Sequence, residues 1–188
     1  MTQGLYHYLR EAWKNPENFK ELTIEWRKDN AIKKIEKPTR LDKARSLGYK
    51  AKKGFVVVRV RIKRGGKKRE KPRKGRKSRK QTTKKVLKMN YRWLAEIRAQ
   101  KKFPNLEVLN SYPVGKDGKH YFFEVILVDY SRPEIKNDPT INWICSKKNQ
   151  GRVYRGLTSA AKKSRGLRKK SKEMKVRPSL RAWNRKGK

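Results

Sequence analysis

The stretch Arg155–Lys170, RGLTSAAKKSRGLRKK, concentrates one kind of chemistry. Seven of its side chains are cationic (Arg155, Lys162, Lys163, Arg165, Arg168, Lys169 and Lys170) and none is acidic. Lysine is a compact charge on a flexible stem and suits a phosphate without demanding geometry, whereas arginine adds bidentate contacts and stacking on bases. The interspersed Gly and Ser residues let the backbone approach closely and donate N–H groups to phosphate oxygens. The apolar residues Leu157, Ala160, Ala161 and Leu167 look too small and scattered to build a core. Such a segment is suited to neutralising a polyanion.

Two further segments share this character. Lys63–Lys85, KRGGKKREKPRKGRKSRKQTTKK, holds fourteen Lys or Arg against one acid, Glu70, with no large apolar residue. Nothing in it can be buried, so the free chain is expected to be disordered there. Residues 40–53, RLDKARSLGYKAKK, are basic, short of large apolar side chains, and carry Gly48 as a turn signal. The whole chain follows suit: 56 Lys and Arg face 16 Asp and Glu, a net charge of +40 over 188 residues. A compact body with that imbalance repels itself, and solubility alone does not require it. The counter-charge must come from outside, and a polyphosphate supplies it while releasing condensed counterions.

Catalytic constellations do not stand out. There are two histidines, His7 and His120, and one cysteine, Cys145, too few for a structural zinc set, so no metal is expected. His120 opens a strand beside a turn, the setting of a solvated or structural histidine. The loop GKDGK (115–119) lacks the phosphate-cradling Gly-x-x-x-x-Gly-Lys-Ser/Thr pattern, and Gly65-Gly66 lacks the spacing of a dinucleotide fingerprint. Glu11, Glu17, Glu21, Glu25 and Asp29 lie on the first two expected helices as solvated-face residues. No enzyme, cofactor or small-molecule substrate is expected. The single cysteine, in the apolar stretch INWIC, reads as a small buried side chain in a reducing compartment. Phe55–Val58 and Val125–Val128 are the longest apolar runs, which argues against a membrane helix or signal peptide. The expectation is a soluble intracellular protein, with no membrane partner.

The elements that must carry these segments follow from periodicity. Residues 2–14 predict a helix with Leu5, Leu9, Ala12 and Trp13 on one face. A second starts near Asn15-Pro16, turns Phe19, Leu22 and Trp26 inward, and breaks at Lys37-Pro38-Thr39-Arg40. In FVVVRVRI, Val56, Val58, Val60 and Ile62 alternate with Val57, Arg59 and Arg61, a half-buried strand. Val86–Lys101 predicts a helix with Leu87, Tyr91, Leu94 and Ile97 on one face, ended by Phe103-Pro104. Leu106–Tyr112 and His120–Asp129 flank PVGKDGK as a hairpin with a longer loop. Ile141–Ile144 reads as a short extra strand, and short helices are expected near Thr158-Ser159 and Pro178-Ser179. The fold class is α+β: a small, mostly antiparallel or mixed sheet with packed helices, a long basic loop and a C-terminal extension. The body is placed at 1–150 with the loop inserted at about 63–85, and the basic extension at 151–188.

Charge alone leaves the nucleic acid open. A DNA-packaging protein would show a similar total, but chromatin tails are low-complexity, whereas these segments are diverse and interleaved with a folded core. A helix-turn-helix reader would concentrate its cations on one recognition helix. Cations spread over loops and tails suit a folded RNA, approached from many directions. Tyr154 in GRVYRG and Trp183 in LRAWNR sit in cationic surroundings, where a ring could stack on an unpaired base or else anchor the tail.

The segments PTRLDKARSLGYKAKKGFVVVRVRIKRGGKKR (38–69), LNSYPVG (109–115) with YFFEVILVD (121–129), NDPTINWI (137–144), RGLTSAAKKSRGL (155–167) and GLYHYLREAW (4–13) closely resemble the L-fifteen-e family of large-subunit ribosomal proteins of archaea and eukaryotes. The resemblance runs in order over nearly the full length. It implies a structural constituent of the large ribosomal subunit, cytoplasmic, with a small α/β body and long extensions threaded into rRNA beside neighbouring ribosomal proteins. No homo-oligomer is expected. By this resemblance the RNA-contact residues are Arg40, Lys43, Arg45, Lys50, Lys52, Lys53, Arg59, Arg61, Lys63, Arg64, Lys67, Lys68, Arg69, Arg73, Lys74, Arg76, Lys77, Arg79 and Lys80. In the C-terminal segment they are Arg152, Tyr154, Arg155, Lys162, Lys163, Arg165, Arg168, Lys169, Lys170 and Trp183. Two rivals stand beside it: a non-ribosomal nucleic-acid packaging protein, and an RNA-modifying enzyme, which would need a pocket or catalytic cluster that the sequence does not offer.

Overall fold

A computed structural model of the chain describes residues 3–15, 19–66 and 89–168. Six α-helices and four strands follow in the order α1 (Leu5–Ala12), α2 (Lys20–Lys28), β1 (Ile32–Ile35), α3 (Leu41–Ser46), β2 (Phe55–Lys63), α4 (Tyr91–Lys102), β3 (Glu107–Lys116), β4 (His120–Val128), α5 (Pro133–Lys136) and α6 (Ser159–Ser164). The strands make one antiparallel sheet in the order β1-β2-β4-β3. The α+β expectation holds, with every pairing antiparallel among the described residues.

The central pair is β2 and β4, in register from Phe55 opposite Val128 to Lys63 opposite His120. On one face Val58, Val60 and Ile62 of β2 join Phe123, Val125 and Leu127 of β4, and α4 covers them with Trp93, Ala95 and Ala99. The inward set Val56, Val58, Val60 and Ile62 is therefore as the alternation predicts. The opposite face is covered too, by Trp26 of α2 and Ala44 of α3 over Tyr112, Val114, Phe122 and Ile126. A strand buried on both faces must be apolar almost throughout, which is why β4 reads YFFEVILV without alternation. A third cluster, Val128, Ile135, Ile141 and Ile144, closes one end. There Gly54 has φ of +95°, and a Cβ on it would lie 2.6 Å from Ile135, so the turn into β2 requires glycine.

Three local expectations are corrected. The second helix stops at Lys28, and Ile32–Ile35 forms the short edge strand β1, with Ile32 opposite Val60 and Ile35 opposite Val57. Four residues with two lysines give little strand signal of their own, and pairing with β2 decides their state. Ile141–Ile144 adds no strand: Asn142–Cys145 is a 3-10 turn. Its tight winding brings Ile141 and Ile144, three apart, onto the same cluster. The hairpin loop is shorter than expected, because the strands continue to the pairs Gly115–Phe122 and Lys116–Tyr121 and leave Asp117–Lys119 to turn. Asp117 accepts from the backbone N–H groups of Lys119 and His120 and fixes that turn. Cys145 is only partly buried, against the third cluster.

The segment after Gln150 also departs from the expectation that its apolar residues have no core to join. Val153, Ala160 and Ala161 are fully enclosed in the α4-covered cluster. Their small size is what lets the chain approach so closely. Thr158 caps α6 as its position suggested, accepting from Ala161 N–H. Its hydroxyl donates to Glu96 Oε2 at 2.5 Å, while Ser111 donates to Glu96 Oε1 at 2.5 Å. Arg92 Nε in turn donates to the Ser111 hydroxyl at 2.7 Å. Burial pushes the Glu96 carboxyl up, opposed by the two hydroxyls and then by Arg92 and Arg152.

Thr158→Val keeps the shape of the residue but removes the cap and leaves a buried Glu96 oxygen without its donor. Loss of about 1–3 kcal/mol in urea unfolding is expected, with the urea dependence of the transition unchanged. Unchanged stability would show that Glu96 does not hold the segment.

Candidate nucleic-acid interface

The described cations divide into two groups. The arginines are mostly engaged within the protein. Arg59, half-buried, donates to Asp29 at 2.7 Å and lies 4.6 Å from the Trp26 ring, because α2 covers the face of β2 on which it stands. Arg61 donates to the carbonyl of Arg27, and Arg64 donates to the carbonyl of Asp117 at 2.9 Å while sitting over Tyr121. Arg40 lies over Trp13 at 5.0 Å and 3.6 Å from Asp42, and Arg45 donates to the hydroxyl of Tyr6. Each of these side chains ties one element to another.

The C-terminal arginines behave alike. Arg152 donates to the carbonyls of Val108 and Leu109 at 2.8 and 2.9 Å, capping acceptors on edge strand β3. Arg155 donates to the carbonyls of Lys148 and Gln150 at 2.6 and 2.8 Å. Arg165 reaches back to the carbonyls of Arg155 and Gly156, and Arg168 to the carbonyl and hydroxyl of Ser159. Gly156, at φ +70°, makes room for this return: a Cβ there would lie 2.7 Å from Arg165 Cδ. In each of these turns one terminal guanidinium nitrogen donates to a pair of neighbouring acceptors.

The lysines stand apart. Lys43, Lys53, Lys63, Lys162 and Lys163 are exposed and have no hydrogen-bond or ion-pair partner among the described residues. Other lysines are bonded: Lys50 and Lys52 both donate to Asp138 Oδ2, at 2.7 and 2.6 Å, Lys52 also to the carbonyl of Glu134, Lys33 to Asp29, Lys14 to Glu11 and Lys102 to the carbonyl of Ile32. Tyr154 is half exposed, at 50%. Lys67, Lys68, Arg69, Arg73, Lys74, Arg76, Lys77, Arg79, Lys80, Lys169, Lys170 and Trp183 lie outside the described residues, as do Val86, Leu87, the rest of the loop to Lys85 and the helix expected near Pro178.

The carboxylates explain why the surface stays positive. Asp29, Asp117, Asp129 and Asp138 each take cationic partners from the body, and Glu96 and Glu124 are fully buried. Glu124 accepts from the Thr39 hydroxyl and N–H and from the Tyr112 hydroxyl at 2.5 Å, opposite Arg59 in the sheet. Burial raises its pKa, and the Thr39 and Tyr112 bonds oppose that rise. No group of three or more His, Cys, Asp or Glu residues that could hold a metal occurs among the described residues, and none of their helices is long and apolar enough to cross a membrane.

A small α+β body that pairs many of its arginines and several of its acids internally, and leaves lysines such as Lys43, Lys53, Lys63, Lys162 and Lys163 exposed, has the character of the basic proteins of nucleic-acid assemblies. The family model described as Ribosomal L15 matches residues 4–183. The chain belongs to this family, and so is a large-subunit ribosomal protein, an rRNA-binding component of a ribonucleoprotein that serves translation.

Asp138 gives a test of the internal clamps. The bonds from Lys50, then Lys52 and Thr140, hold its carboxyl far below the ordinary value of 3.8. A lowered folded pKa contributes stability above the unfolded value, and that contribution is lost as pH falls through it toward the folded one. The wild-type melting temperature is therefore expected to drop between about pH 5 and pH 2, and Asp138→Asn to drop less over the same window while starting lower at neutral pH. Parallel acid limbs for the two proteins would show that the clamp contributes nothing.

Proposed function

We propose that this chain stabilises folded large-subunit rRNA, with a body positioned by internal arginine contacts and lysines that neutralise phosphates from several directions. The supporting observation lies among the described cations: most arginines are bonded within the body, while Lys43, Lys53, Lys63, Lys162 and Lys163 are exposed with no partner among the described residues. On this reading Lys162 and Lys163 of α6 are phosphate ligands, while Arg59, Arg61, Arg152, Arg155 and Arg165 act through the loops and strands they hold. The basic segments 67–85 and 169–188 add further phosphate contacts. On this reading the stretch 151–165 belongs with the body, which is supported by Val153, Ala160 and Ala161 joining the cluster under α4.

The protein acts as a single copy, structurally rather than catalytically, in the cytoplasmic large subunit beside other ribosomal proteins. Sedimentation of native lysate on a gradient tests the assembly: the chain is expected to travel with the large subunit, and travel with genomic DNA instead would favour a packaging role.

The phosphate contacts have their own measure. With a fixed rRNA fragment titrated at several salt concentrations, Lys162→Gln with Lys163→Gln should lower the slope of log affinity against log salt by roughly 1.4–1.8 in magnitude. Folding stability should be unchanged, since neither side chain has a partner to lose. A wild-type slope in the double variant would remove α6 from the interface.

A further inference from the structure

Trp143 is, with Tyr8 and Tyr154, one of the exposed aromatic rings among the described residues, and it is the one backed by a fixed guanidinium and flanked by exposed lysines. It keeps 42% of its surface open, although its neighbours in the 3-10 turn, Ile141 and Ile144, are buried. The Arg152 guanidinium lies over the indole, 5.0 Å from its centroid. That guanidinium is itself fixed by the carbonyls of Val108 and Leu109, so it is not free to leave and neutralise a phosphate. Asn149 donates to the Trp143 carbonyl and holds the backbone beneath the ring. Between them Lys147 and Lys148 are exposed, and Arg155 pins their turn through the carbonyl of Lys148.

We propose that Trp143 is a stacking platform for an unpaired RNA base, with Arg152 as its fixed backing and Lys147 and Lys148 as contacts for the phosphates beside that nucleotide. This rests on the RNA-binding reading above and adds a site for a base, where that reading needs only phosphate. A π-face accepts any base, and base–aromatic stacking needs a ring held rigidly and accessible to solvent. Arg152 and Asn149 supply the rigidity before the RNA arrives, which lowers the ordering cost on binding. A purely electrostatic surface has no use for an indole; a lysine at 143 would serve it better.

The test uses the full-length protein with two probes, an oligoadenylate of about a dozen nucleotides and an RNA duplex of similar length, at salt high enough to suppress non-specific binding. Trp143→Ala is expected to weaken oligoadenylate binding by about 5- to 150-fold, with the salt slope unchanged because no charge is removed. Trp143→Phe should fall between the two, and duplex binding should be the same in all three proteins. Circular dichroism and thermal melting confirm that each variant is folded. Oligoadenylate binding by Trp143→Ala at wild-type affinity, or an equal loss on the duplex, would overturn the platform. Failure of the wild-type protein to bind either probe in a salt-dependent way would instead overturn the RNA-binding reading itself.

Discussion

The carboxylate of Glu96 holds together parts of the chain that are far apart in sequence. It stands on α4, takes one hydroxyl from β3 and another from the start of α6, and has Arg92 and Arg152 as nearby charges. A fully buried carboxylate is costly unless its oxygens are satisfied, and here both are. The asymmetry of buried charge makes the arrangement selective: with either hydroxyl misplaced, the charge loses its compensation. Small side chains at 160 and 161 then allow α6 to sit flush on the cluster that α4 covers. Position of the basic C-terminal segment thus follows from a set of polar contacts, among them Glu96–Thr158, Asn90–Ala160 and Arg152 to β3, and from small buried side chains rather than from a large apolar face.

That economy fits the charge of the chain. With +40 to accommodate, every available acid that pairs inside reduces self-repulsion within the body. Asp29 takes Lys33 and Arg59, Asp138 takes Lys50 and Lys52, and Asp117 takes the hairpin turn and Arg27. Arginine and lysine are sorted by what each can do. A single guanidinium nitrogen satisfies a pair of backbone carbonyls where the chain turns back on itself, at Arg152, Arg155 and Arg165. Several lysines, Lys162 and Lys163 among them, are left outward with no partner among the described residues.

Much of this was legible in the sequence, and the limits have physical causes. Alternation in β2 placed Val58, Val60 and Ile62 inward correctly, and the pair Thr158-Ser159 marked a helix start, with Thr158 as its cap in the structure. Alternation also marked Arg59 and Arg61 as outward, which is true of α4 but misses α2. A helix arriving from some thirty residues away covers that second face, and a period-2 pattern carries no information about it. The continuous apolar run of β4 was the available sign that both faces are buried. Edge strand β1 was hidden because its pairing with β2, not its own composition, determines it. For the interface, charge identified the segments, but Arg and Lys are equal in a charge count. Only the geometry separates a cation that builds the body from one that faces outward.

This separation bears on how a highly charged protein can fold before its polyanion is present. Had the arginines at 59, 152, 155 and 165 no acceptors within the protein, the loops around them would lack that support until RNA arrived. Instead their bonds run to the protein's own carbonyls and to Asp29, so the turns they define persist in the free body. Repulsion among the outward lysines remains, but long flexible stems in water screen it over roughly 8 Å at physiological salt. The body therefore meets RNA with its turns already set, and the binding energy of each phosphate contact need not be diverted to ordering them.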